Sequence, residues 1–199
     1  VYNSSAVDGG FGLLAKGGAA SFDSVTAKTD DTQVPVSLFA STPASPDSAG
    51  VTTTLTGSQL KPLVDEALRL WLISQGSSLI APLGNLQVRV ADLPGLELGR
   101  VENGVITIDI DAAGHGWFVD PTPGSSSEFR RAGTSVTGSG ETALVANGKS
   151  PAFGHMDLLS VVVHEVGHVF VFAHTEDGDH GSGVMEETIE SGVRRLPVA

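Results

Sequence analysis

Residues 51–199 predict an α/β (α+β) domain, and three observations carry that reading: an amphipathic helical run at 58–74, short alternating strands between 86 and 110, and an almost wholly apolar helical run at 157–172. In the first run Leu60, Leu63, Val64, Ala67, Leu68, Trp71 and Leu72 recur at helical spacing, Thr56 or Ser58 is placed to cap it, and Pro62 falls in the first turn. Trp71 continues that apolar stripe and reads as core. At 86–91, Leu86, Val88 and Val90 alternate with Gln87 and Arg89; further strands follow at 96–101 and 104–110, joined by Glu102-Asn103-Gly104 as a hairpin turn. The last run contains no proline, and Asp157 is placed to cap its first turn.

The chain of 199 residues, 40% hydrophobic, is long enough to bury one sizeable core. Residues 1–50 are rich in Gly, Ser, Ala, Asp and Pro, with β-like runs at 19–28 and 32–40, so they read as an extension or the remnant of a preceding module. The Ser/Pro-rich tract at 41–50 reads as a linker, which puts the domain boundary at Gly50. A start at Val1 implies a piece of a larger polypeptide. The net charge of −12, with four lysines and seven arginines, argues against nucleic acid and anionic membrane surfaces as partners. No apolar run reaches the length of a membrane span. Without cysteine there is neither a disulfide framework nor a thiolate ligand. Such acidic, Gly/Ser/Thr-rich, cysteine-free composition is similar to that of proteins exported by Gram-negative type I systems, so the expected location is secreted or cell surface.

The chemistry-bearing motif is His164-Glu165-Val166-Gly167-His168, inside the apolar run. On a helix the two histidines are separated by about 400° of rotation and roughly 6 Å of rise, so both rings leave the same face. Two imidazoles so placed suit zinc, and Glu165 stands beside the open side of such an ion as a general base toward water. The competing reading, two surface histidines four apart, would leave these polar groups among Val161, Val162, Val163, Val169 and Phe170 without reason.

A third ligand is needed, and His174 is the first candidate, once the helix breaks before it. With Met185 downstream in Gly183-Val184-Met185-Glu186, the pattern resembles the metzincin clan of zinc endopeptidases, and within it matrixin-type bacterial domains. The resemblance implies a metzincin-like fold: a twisted, mostly parallel sheet with a backing helix and an active-site helix, then a small C-terminal subdomain. It implies Zn2+ on His164, His168 and His174, Glu165 as base, Met185 in a turn beneath the metal, and a protein or peptide as substrate. It covers roughly 51–199, but only 157–185 is specific.

This chain departs from the family pattern at Val171, where the family has glycine, so Asp177, Asp179 and His180 stand as alternative third ligands. The family using a distant glutamate would nominate Glu186, Glu187 or Glu190. The sole tyrosine is Tyr2, so no tyrosine follows the Met185 turn and oxyanion stabilisation would rest mainly on zinc. Thr107, Asp109 and Asp111 share one strand face, which leaves a Ca2+ site open beside the simpler reading of a polar face. His115 reads as a loop histidine and His155 as support for the following helix. Arg194 and Arg195 read as a solvated pair, or as a reader of substrate carboxylate. Two functions follow: a zinc endopeptidase, or a catalytically weak or inactive metzincin-like module within a large secreted or surface adhesin-type protein.

Overall fold

The computed structural model describes residues 36–45, 54–75, 86–131, 143–170 and 183–197. The chain divides into two compact units, Val1–Asp30 and Asp31–Ala199. The first unit, with the strand expected at 19–28, lies outside the described residues.

The second unit is mixed α/β. Among the described residues it has two helices, α1 (Gly57–Gln75) and α2 (Leu158–Val169). A five-stranded sheet runs in the order β2 (Gln87–Ala91), β4 (Val105–Asp109), β3 (Glu97–Glu102), β1 (Val36–Ala40), β9 (Thr188–Ile189). Pairs β2–β4 and β1–β9 are parallel, whereas β3–β4 and β1–β3 are antiparallel. The sheet is therefore mixed and not mostly parallel. The physical reason is the turn at Asn103 (φ 52°) and Gly104 (φ 75°), both left-handed. So tight a connection returns the chain beside itself and permits only an antiparallel neighbour.

Strand β1 lies upstream of the boundary expected at Gly50, yet it is hydrogen-bonded between β3 and β9, so the sheet draws on both sides of that boundary. The C-terminal residues are likewise woven in: β9 extends the large sheet, and β10 (Val193–Arg194) joins β7 (Leu144–Ala146) and β6 (Phe129–Arg131) in a small antiparallel sheet. β5 (Trp117–Phe118) pairs in parallel with β8 (Met156–Asp157), which leads straight into α2.

Helix α1 follows directly on Thr56, which the Gln59 side chain folds back to meet. The Thr56 N–H donates to Gln59 Oε1 at 3.0 Å, and the Thr56 hydroxyl meets the same oxygen at 2.7 Å. Pro62 therefore falls beyond the first turn and inside the helix. Leu60, Leu63, Ala67 and Trp71 form its buried stripe, as the spacing predicts. Trp71 Nε1 donates to the Val163 carbonyl at 2.8 Å and its ring meets Phe170 edge-on, which clasps α1 to α2.

Helix α2 is buried throughout from Leu158 to Gly167, between α1 and the sheet. Asp157 caps it, accepting from the Ser160 N–H at 3.2 Å and from the Ser160 hydroxyl at 2.6 Å. Its last helical residue is Val169; Phe170 closes it through bonds to the Val166 and Gly167 carbonyls.

Arg194 is neither solvated nor aimed at a ligand: it is fully buried against the start of α2. Its Nε and Nη2 grip the Asp157 carboxylate at 2.9 and 2.8 Å, Nη2 also reaches Asp120 at 2.8 Å, and Nη1 meets the Ser125 carbonyl at 3.1 Å and the Ser126 hydroxyl at 3.3 Å. The Phe129 ring covers the guanidinium at 4.2 Å. Removing this cation would strand two buried carboxylates. Arg194→Ala is expected to cost about 3–5 kcal/mol, read as a lower urea midpoint at unchanged slope.

Candidate metal centre

The second and third turns of α2 bring the two expected rings together. His164 is 1% exposed, and its Nδ1 lies 2.8 Å from the Val184 carbonyl. A carbonyl only accepts, so Nδ1 carries the proton, and Nε2 of the neutral ring presents a lone pair. The His168 Nε2 lies 2.9 Å from the His164 Nε2, with the ring planes 82° apart. Two imidazole nitrogens on one tetrahedral zinc ion stand roughly 3.3 Å apart, so a small opening of this pair accommodates the ion. A ring N–H donated to a backbone carbonyl is also the usual support of a metal-binding histidine. These two residues fit a metal.

Among the described residues no third His, Asp or Glu completes a group around them. His174, Asp177, Asp179, His180 and Val171 lie outside the described residues. Glu186 is ion-paired with Arg195 at 3.0 Å. Glu190 lines a cleft of about 410 Å³ on the outer face of the small sheet, with Arg130, Val145, Phe153 and Val193. The structure does not bring Glu186, Glu187 or Glu190 to the histidine pair.

Glu165 takes a different direction from the one its neighbour in sequence suggests. One residue further along a helix turns about 100°, and the side chain enters the interface between α2 and the sheet, over Gly99 of β3. A Cβ on Gly99 would stand 2.9 Å from Glu165 Oε1 and 3.0 Å from its Cγ, so the glycine leaves the slot that the carboxyl fills. The group is 0% exposed, and neither oxygen has a hydrogen-bond partner among the described residues. Burial pushes its pKa well above the usual carboxylate range, and the nearby Glu97 adds to the rise; the Leu38 backbone amide, too poorly placed for a regular hydrogen bond, only partly opposes it. Glu97 is itself held by the Ser37 hydroxyl at 2.6 Å.

Met185 sits in the turn 183–186, where the Glu186 N–H reaches the Gly183 carbonyl. A Cβ on Gly167 would lie 2.5 Å from Met185 Sδ and 2.9 Å from the Trp71 ring. Gly167 is thus the space into which both side chains pack, beside His168. Sequence reasoning passed over Val184, Gly167 and Gly99. A glycine within a buried helix or strand signals close approach, but not of what.

The other polar candidates have partners within the fold. Asp109 accepts from the backbone amides of Leu93, Asp111 and Ala113, Thr107 accepts from Arg89, and Asp111 accepts from the Gly114 amide. Those bonds tie the acidic strand end into the fold. His115 Nε2 meets the Thr42 carbonyl, and His155 Nδ1 meets the His115 carbonyl.

No protein-family model, curated protein or solved structure matches the chain.

Gly167→Ala is expected to lower stability by about 1–2 kcal/mol through overpacking, despite the better helix propensity of alanine, and chemical denaturation checks this. The raised pKa of Glu165 means that the folded, metal-free chain holds a proton which the unfolded chain releases. Its contribution to stability is therefore greatest below the unfolded pKa and declines as pH rises toward the folded one. Glu165→Gln is expected to flatten that decline in unfolding curves recorded across pH.

Proposed function

We propose that the chain is a zinc-dependent endopeptidase of metzincin type, secreted or displayed at a cell surface. The observation that carries this is the convergence of the His164 and His168 Nε2 atoms at 2.9 Å, with the His164 Nδ1 proton held by the Val184 carbonyl. His164 and His168 are two ligands, and His174 is the third. Zinc held there supplies Lewis acidity toward a peptide carbonyl and toward water. The backing helix α1, the sheet, the buried α2 and the Met185 turn are the parts of the fold that support a metzincin-like reading.

Glu165 is the proton carrier: it accepts a proton from the attacking water and delivers it to the leaving amine. To do so its carboxyl must leave the slot over Gly99 and turn toward the partly exposed His168. In its enclosed position the protonated side chain serves no base chemistry. That enclosure favours a second reading, a metzincin-like module of low or no activity within a surface protein.

A peptide library or unfolded protein incubated with the purified chain separates the two. The peptidase reading expects cleavage that chelator abolishes and that Glu165→Gln lowers by about 100-fold or more. Equal cleavage by the wild type and the variant, or none by either, contradicts it.

A further inference from the structure

Resting on the reading of His164 and His168 as metal ligands, we propose that Arg195 is a positioning residue of the metal centre, acting through Glu186 on the turn that orients His164. The dipeptide Arg194-Arg195 reaches in two directions. Arg194 fixes β10 to the Asp157 cap of α2, and the Arg195 N–H adds a bond to the Ser160 hydroxyl at 2.9 Å in the same first helical turn. The Arg195 side chain runs back the other way. Its Nη1 lies 3.0 Å from Glu186 Oε2 and donates to the Thr188 carbonyl at 2.8 Å.

Glu186 ends the turn that begins at Gly183, and that turn carries both Val184 and Met185. The Val184 carbonyl holds the proton of His164 Nδ1, while Met185 packs on Gly167 between the two histidines. A short connected path therefore runs from the first turn of α2 through Arg194, Arg195, Glu186 and Val184 back to His164. Position along the helix is set at one end and the orientation of a ring at the other. The Arg195–Glu186 pair is partly solvent-exposed, at 15% and 26%, so it contributes little to global stability on its own. What it fixes is where one carbonyl points, and second-sphere groups of that kind control metal affinity.

The test uses the full chain and its Arg195→Gln, Glu186→Gln, doubly substituted and Arg195→Lys variants, with zinc affinity measured by competition against a chromophoric chelator. Each single Gln variant is expected to bind zinc about tenfold more weakly than wild type. The double variant should lose about the same tenfold and not the product, because the two residues form one device. Arg195→Lys should recover most of the affinity. A second readout needs no metal: in 15N-labelled metal-free protein, His164 should show a slowly exchanging Nδ1 proton in wild type and lose it in both Gln variants. Folded Arg195→Gln and Glu186→Gln proteins with wild-type affinity and an unchanged His164 signal would overturn the proposal while leaving the metal reading intact. Should Arg195→Gln not fold, Glu186→Gln decides. A wild-type chain that binds no zinc overturns the metal reading, and this proposal with it.

Discussion

The Val184 carbonyl, 2.8 Å from the His164 Nδ1, determines which nitrogen of a buried ring carries its proton. An imidazole with 1% exposure cannot leave that choice to solvent. Once Nδ1–H is committed to the carbonyl, Nε2 is the acceptor nitrogen, and the helix places it 2.9 Å from the His168 Nε2, whose N–H it accepts. The turn 183–186 must therefore lie against α2 in one register. Gly167 admits Met185 at that level, and Trp71 seals the same level from α1.

Burying polar side chains along one helix and its cap is costly unless each is answered. His164 is answered by Val184, and the Asp157 cap by Ser160 and Arg194. Glu165 is the exception, with two enclosed oxygens and a slot left by a glycine across the interface. Such a group is kept neutral by its surroundings. On stability alone an apolar residue would be favoured at this position.

The parts legible in the sequence are those governed by local pattern. Helical spacing gave Leu60 through Trp71 as a buried stripe, Asp157 declared itself as a cap, Asn103-Gly104 as a hairpin, and the four-residue interval as two rings on one face. What was hidden depends on partners far away along the chain. Arg194 finds Asp157 and Asp120 at separations of 37 and 74 residues, so a charge near the C-terminal end looked like surface. Strands β6 and β7 have three residues each, too few for alternation to show. Because α2 is apolar on every side, its pattern cannot say that position 165 looks at the sheet while position 164 looks at the 183–186 turn. The expectation of a mostly parallel sheet came from resemblance, and the Asn103-Gly104 turn in the same sequence already opposed it.

The most direct test of the metal centre is X-ray absorption at the zinc edge on protein purified without chelator. The account predicts one bound zinc with at least two imidazole nitrogens at about 2.0–2.1 Å, and loss of that signature in His164→Ala. Protein that carries no zinc and takes none up, or zinc whose shell is unchanged in His164→Ala, would contradict it.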